Sequence, residues 1–101
     1  MRFLIKVSMP VEAANKAAHA GFAAIAKILE EQKPEAAYFI AEGGKRTAIL
    51  VVNMDHEWEL PAIAEPWFLA LNASIEATPA MVAADLQKAG PAVEKAVKNY
   101  G

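Results

Sequence analysis

Apolar and polar residues alternate along four short stretches of the chain, and this period of two predicts β-strands. The stretches are residues 2–8, 36–42, 46–54 and 72–78. The second and third are rich in aromatic or β-branched residues and flank Gly43-Gly44, a pair that tolerates the positive φ angles of a tight turn. We therefore expect these two strands to form a β-hairpin.

Between the first two strands, apolar residues recur at helical spacing. Pro10 suits the first turn of a helix, and the periodicity continues to about Gln32, where Lys33-Pro34 ends it. This pattern predicts one long amphipathic helix. Phe22 lies on its apolar side and Phe39 on the strand face that it would cover. Both rings are therefore expected in the core.

The remaining segments are helical with interruptions. Pro61 and Pro66 lack amide donors, which predicts one or two short helical pieces before the last strand. Their core-facing residues would be Ile63, Trp67, Phe68 and Leu71. After Thr78-Pro79 another apolar stripe begins, and Gly90-Pro91 is expected to divide that helix in two.

The order of elements is β-α-β-β-α-β with an extra C-terminal helix, which predicts a single α+β domain over residues 1–101. Its four-stranded antiparallel sheet would be ferredoxin-like, with helices on one face. The third strand carries Ile49 and Val51 on the opposite face. Since exposed apolar patches of that kind mark interfaces, we expect a homodimer in which two sheets pack face to face around a partly polar cavity.

Composition narrows the possible partners. The chain is 55% hydrophobic with a net charge of −2, so it has no basic surface for nucleic acid. No stretch approaches the roughly 18 apolar residues of a membrane span or forms a signal-peptide core, and a cytoplasmic location is the default expectation. The absence of cysteine excludes disulfides, thiolate metal sites and a cysteine nucleophile. No dinucleotide fingerprint is present, and we expect no cofactor and no bound metal.

Two segments of the second half carry a resemblance to a known superfamily. Ile63-Ala64-Glu65-Pro66-Trp67-Phe68, followed by Asn72-Ala73-Ser74-Ile75-Glu76-Ala77-Thr78-Pro79, resembles the helix-to-last-strand junction of small dimeric α+β barrel proteins and, more loosely, of muconolactone isomerases. The resemblance implies a dimeric barrel over nearly the whole chain. Members of that superfamily act as isomerases, cofactorless oxygenases, haem degraders or ligand binders, so the likeness alone assigns no chemistry.

One group of candidate site residues lies on the sheet face away from the helices. Ligand-binding candidates on this face are Lys6, Tyr38, Asn53 and Glu76. A carboxylate beside an ammonium and a phenol suits acid–base chemistry or the orientation of a polar ligand. The structural alternative is an ion pair between Lys6 and Glu76 that stabilises the register of two strands.

A second group follows the third strand, in the run Asp55-His56-Glu57-Trp58-Glu59. His56 could move protons, and Trp58 could close over a ligand. The run is not an HExxH motif, because Leu60 stands where the second histidine would be. The structural alternative is a solvated acidic loop in which Asp55 or Asn53 caps a helical turn.

Two functions are consistent with these patterns. The first is a small-molecule binding protein or a cofactor-independent enzyme, isomerase-like or monooxygenase-like, with its pocket inside the dimeric barrel. Proton transfer, with Glu76 or His56 as the base, would need neither thiol nor metal. The second is a non-enzymatic dimerisation or interaction module.

Overall fold

The predicted strands form one antiparallel sheet in the computed structural model, which describes residues 1–101. The strands are β1 (Arg2–Ser8), β2 (Ala36–Glu42), β3 (Lys45–Asn53) and β4 (Ser74–Pro79). Their order across the sheet is β2-β3-β1-β4, so β1 and β3 are central and β2 and β4 are the edges. This strand order, with helical crossovers after β1 and β3, is the ferredoxin-like arrangement expected from the predicted order of strands and helices.

Five α-helices and one 3-10 turn complete the fold. The helices are α1 (Val11–His19), α2 (Ala23–Gln32), α3 (Leu60–Leu71), α4 (Ala83–Lys88) and α5 (Gly90–Tyr100), and the 3-10 turn (Glu57–Glu59) leads directly into α3. The first three helices pack on one face of the sheet, which we call the covered face, and the other is the open face. No helix is long and apolar enough to cross a lipid bilayer.

The core lies between the covered face and helices α1–α3. Trp67 of α3 is fully buried and packs in one cluster with Ile5 of β1 and Leu50 of β3. Gln32 of α2 joins the two longest crossover helices: its Nε2 donates to the carbonyl of Ile63 at 2.8 Å, and its Oε1 accepts from Trp67 Nε1 at 3.3 Å. The indole N–H is thus satisfied although its ring is buried.

The first crossover is not the single long helix that the periodicity predicted. α1 ends at His19, and the chain turns through Gly21 and Phe22, whose φ angles are 67° and 57°. The amide of Phe22 donates to the carbonyl of Ala17 at 2.8 Å and so satisfies a group that the helix end leaves free. Because this turn redirects the chain, Phe22 is 40% exposed instead of lying in the core.

In the second crossover the sequence predicted a break that the structure does not have, because α3 runs unbroken past Pro66. Pro61 stands in the first turn, where a missing N–H costs nothing. Pro66 removes one internal hydrogen bond, and the burial of Ala64, Trp67 and Leu71 on the same helix holds the structure around it. Phe68, expected in the core, is 41% exposed, because it lies about 100° around the helix from Trp67.

The helical layer leaves the β2 edge uncovered. Phe39 pairs with Ala48 and therefore belongs to the covered face, as predicted, yet it is 53% exposed. Six of the seven β2 residues are exposed, so the lack of cover extends along the strand. The face assigned to Phe39 was right, but its burial within one chain was not.

Candidate functional site

Three of the predicted site residues lie in one straight row across the open face. Tyr38 of β2 is opposite Ile49 of β3, Ile49 is opposite Lys6 of β1, and Lys6 is opposite Glu76 of β4. With strands about 4.8 Å apart, the row spans roughly 14 Å from the phenol to the carboxylate. The register of the sheet thus gathers residues that are far apart in sequence.

Within this row, Lys6 forms its ion pair with Glu42 instead of Glu76. Its Nζ lies 3.1 Å from Glu42 Oε2 and donates to Oε1 at 3.2 Å. The hydrogen bond to Glu42, and then the charge of that carboxylate, raise the pKa of Lys6 above its ordinary value, with a smaller contribution from Glu76. The side chains reach each other diagonally across β3, above the position of Thr47, which is buried. Glu76 therefore has no ion-pair partner.

A second ion pair lies at one end of the open face. Arg2 donates from Nε to Glu35 Oε2 at 2.7 Å and from Nη2 to Oε1 at 2.9 Å. The hydrogen bond from Arg2 holds the pKa of Glu35 below its ordinary value. Asn53, the remaining candidate on this face, pairs with Arg2 across the strands and is exposed. It lies at the end of the face, away from the row.

The open face also exposes large apolar side chains. Tyr38 is 63% exposed, Ile40 44% and Leu4 39%, while Ile49 and Val51 between them are half-buried. These residues belong to three adjacent strands and form a continuous apolar strip, which shares Tyr38 and Ile49 with the row. In one chain this strip faces solvent.

His56 and Trp58 belong to a separate site beyond the end of β3. Their rings stack with centroids 4.0 Å apart and an interplanar angle of 10°. The loop is capped by Glu59, not by Asp55 or Asn53 as the structural alternative supposed. Glu59 Oε2 accepts from the amides of His56 at 2.8 Å and Asp55 at 2.6 Å, and these bonds lower the pKa of Glu59.

His56 borders a cleft of about 230 Å³ that also contains Phe3, Met54 and Ala77. Ala77 is opposite Ile5, and Phe3 is two residues before Ile5 on β1, so both lie on the covered face. The cleft therefore opens on the helical side and not toward the row. Within one chain, the structure does not bring His56 or Trp58 together with Lys6, Tyr38 and Glu76. No three histidine, aspartate or glutamate side chains converge as they would to bind a metal ion.

A larger concavity than the His56 cleft is one that the sequence patterns did not reveal. It is an apolar groove of about 630 Å³ between α2 and the uncovered β2 edge. Its walls include Phe22, Ile25, Leu29 and Phe39, and Arg46 is its only charged residue. Gly21, which lies inside the predicted long helix, is the residue from which this groove could have been predicted. A break of the helix at Gly21 moves Phe22 out of the core.

Arg46 is held at this groove by two contacts. Its Nη1 donates to Asn15 Oδ1 at 2.7 Å, and its guanidinium carbon lies 5.9 Å from the centroid of the Phe22 ring. The second contact is within the range of a cation–π interaction. No carboxylate pairs with Arg46, so the groove presents one uncompensated positive charge at an apolar surface.

No family model matches this chain. A search of curated proteins also found no match.

Proposed function

We propose that this chain forms a homodimer through its open sheet face and that the enclosed space binds a small organic molecule. The apolar strip formed by Leu4, Tyr38, Ile40, Ile49 and Val51 is the observation that carries this proposal. Monomeric proteins rarely expose such a continuous apolar surface beside a charged row. A second sheet packed on it would bury the strip and enclose the row.

The free carboxylate of Glu76 indicates the chemistry of the ligand. An ionised carboxylate only accepts hydrogen bonds, so it would bind a hydroxyl or amine donor, while the apolar strip would contact an apolar body. Tyr38, at the other end of the row, offers a hydroxyl to a polar group on the ligand. If the protein is an enzyme, Glu76 is the candidate base for a proton transfer, which requires no cofactor.

A dimerisation module without a ligand is the second candidate, and a specific observation favours it. Lys6 is already paired with Glu42, and Arg2 with Glu35. Paired charges on a sheet face can serve to set register or select a partner without serving a substrate. The two candidates agree on the dimer and differ only in the role of Glu76.

The dimer is tested by placing a charge on the apolar strip. Light scattering at micromolar concentration should report twice the chain mass for the unaltered protein. Val51→Glu should yield a folded monomer, since an unpaired ion buried in an interface costs several kcal/mol. Leu69→Glu is the matched control, because Leu69 is 82% exposed on the outer helical layer, and it should remain a dimer. A folded monomer in the unaltered protein would rule out both functions.

The ligand site is tested by a thermal-shift screen of small aromatic alcohols and amines. A ligand at 100 times its Kd stabilises the native state by about 2.7 kcal/mol, which corresponds to a rise in Tm of roughly 10 °C or more in a domain of this size. Glu76→Gln should abolish that rise while leaving the unliganded Tm nearly unchanged. Glu65→Gln, on the exposed side of α3, is the matched control. Equal shifts in both variants would remove Glu76 from the site.

A further inference from the structure

The C-terminal arm, residues 81–101, projects away from the rest of the chain. No residue of α4 or α5 is buried. The Cα radius of gyration is 17.0 Å and the longest dimension 57 Å, whereas a packed chain of this length has a radius of gyration of about 13 Å. The arm therefore contributes length without adding to the core.

The arm is amphipathic, although nothing in its own chain covers its apolar side. Val93, Val97 and Tyr100 recur at intervals of four and three residues, which aligns them on one side of α5. They are 55%, 61% and 91% exposed. A helix with such a stripe gains stability by packing it against another apolar surface.

The groove between α2 and β2 is another uncovered apolar surface on this chain. At about 630 Å³ it would hold around 20 water molecules, at roughly 30 Å³ each, against apolar walls. Displacing that water with apolar side chains is favourable. The groove is open along the sheet edge, where a helix can enter from the side.

We propose that the C-terminal arm of one chain docks its Val93–Val97–Tyr100 stripe in the α2–β2 groove of a second copy. Each chain has one projecting stripe and one empty groove, so a symmetric exchange between two copies covers both. The inference rests on the homodimer of the proposed function, but it requires neither a ligand nor any role for Glu76.

The position of the arm favours a second copy over its own groove. The arm follows β4, and the amide of Ala80 donates to the carbonyl of Arg2 at 2.9 Å, which ties the start of the arm to that side of the sheet. The groove lies at β2, the opposite edge, about 14 Å away across the strands. In a face-to-face dimer, an edge strand of one sheet comes close to an edge of the other.

Charge complementarity also favours this occupant. Arg46 is the only charged residue of the groove and has no carboxylate partner. Glu94 is the only acidic residue of α5, and it flanks the apolar stripe next to Val93. Lys95 and Lys98 lie farther around the helix from the stripe, where they would remain in solvent.

Cysteine cross-linking tests the exchange directly, because the protein contains no cysteine. Ala26→Cys marks the groove, and Val93→Cys or Val97→Cys marks the stripe on separately purified chains. Two stripe positions are used because a disulfide forms only when the Cβ atoms are about 4 Å apart. Asn99→Cys, on the opposite side of α5, is the matched control. Groove and arm variants are mixed, allowed to exchange, oxidised and separated by mass.

Docked cysteines have an effective concentration of roughly 1 mM, so at least one stripe variant should cross-link to Ala26→Cys at least ~10-fold faster than the control does. Equal rates for stripe and control in a dimeric protein would overturn the arm exchange and leave the sheet-face dimer intact. A stripe-specific cross-link that is lost when Val51→Glu is introduced would support an exchange built on the sheet-face dimer, whereas one that persists in Val51→Glu would overturn its dependence on that dimer. A monomeric Ala26→Cys/Val97→Cys chain with an internal disulfide would show that the arm packs on its own groove.

Discussion

Truncating Trp67 tests whether the helical layer is held to the sheet in the way the structure shows. The indole is fully buried in the cluster of Ile5 and Leu50, and it donates to Gln32. Trp67→Ala should lower the free energy of unfolding by about 3–5 kcal/mol, because it leaves a cavity and frees a polar group of Gln32. A domain of this length has a total stability of roughly 5–15 kcal/mol, so this is a large fraction.

The measurement is urea unfolding followed by circular dichroism, at one fixed chain concentration because association contributes to stability. Trp67→Phe keeps most of the bulk and should lose less, which keeps the test informative if Trp67→Ala does not fold. Phe68→Ala, at the neighbouring position that is 41% exposed, is the matched control and should cost clearly less than Trp67→Ala. A loss below about 1 kcal/mol for Trp67→Ala would refute the packing described here.

Two further predictions concern the loop at the end of β3 and the hairpin turn. The folded-state pKa of Glu59 is lowered by the amides of His56 and Asp55, so its stabilisation is present above the ordinary value of 4.5 and is lost as pH falls through the lowered pKa. Glu59→Gln should therefore have a lower Tm than the unaltered protein near pH 7. In strong acid the two Tm values should become equal. A Tm difference that does not change with pH would contradict this. Gly43 and Gly44 have φ angles of 60° and 75°, with no neighbouring atom within 4 Å of an added Cβ. Gly44→Ala should thus lower the free energy of unfolding by about 1 kcal/mol from backbone conformation alone. Gly43→Asn should change it by less than about 0.5 kcal/mol, because asparagine tolerates a positive φ. Equal losses for the two variants in chemical denaturation would argue against this turn geometry.

The strands and the order of the elements could be predicted from local patterns in the sequence. Strand periodicity is local, because alternate side chains point to opposite faces whatever the strand pairs with. For that reason β1 and β2 begin and end at the predicted residues, and the strand face of Phe39 was assigned correctly. The break at Gly90 was likewise predictable, since glycine followed by proline interrupts a helix locally.

The burial of individual side chains could not be predicted in this way, because it depends on where helices end and on which strands are neighbours. Gly21 was compatible with a continuous helix or with a turn, and the choice of the turn moved Phe22 from the core to the groove. Lys6 is opposite Glu76 in the sheet, yet its ammonium group pairs with Glu42, which lies diagonally across β3. Pro66 remained inside α3 because buried neighbours on that helix outweigh one missing hydrogen bond. The alignment of Tyr38, Lys6 and Glu76 in one row required the strand register, which no local pattern contains.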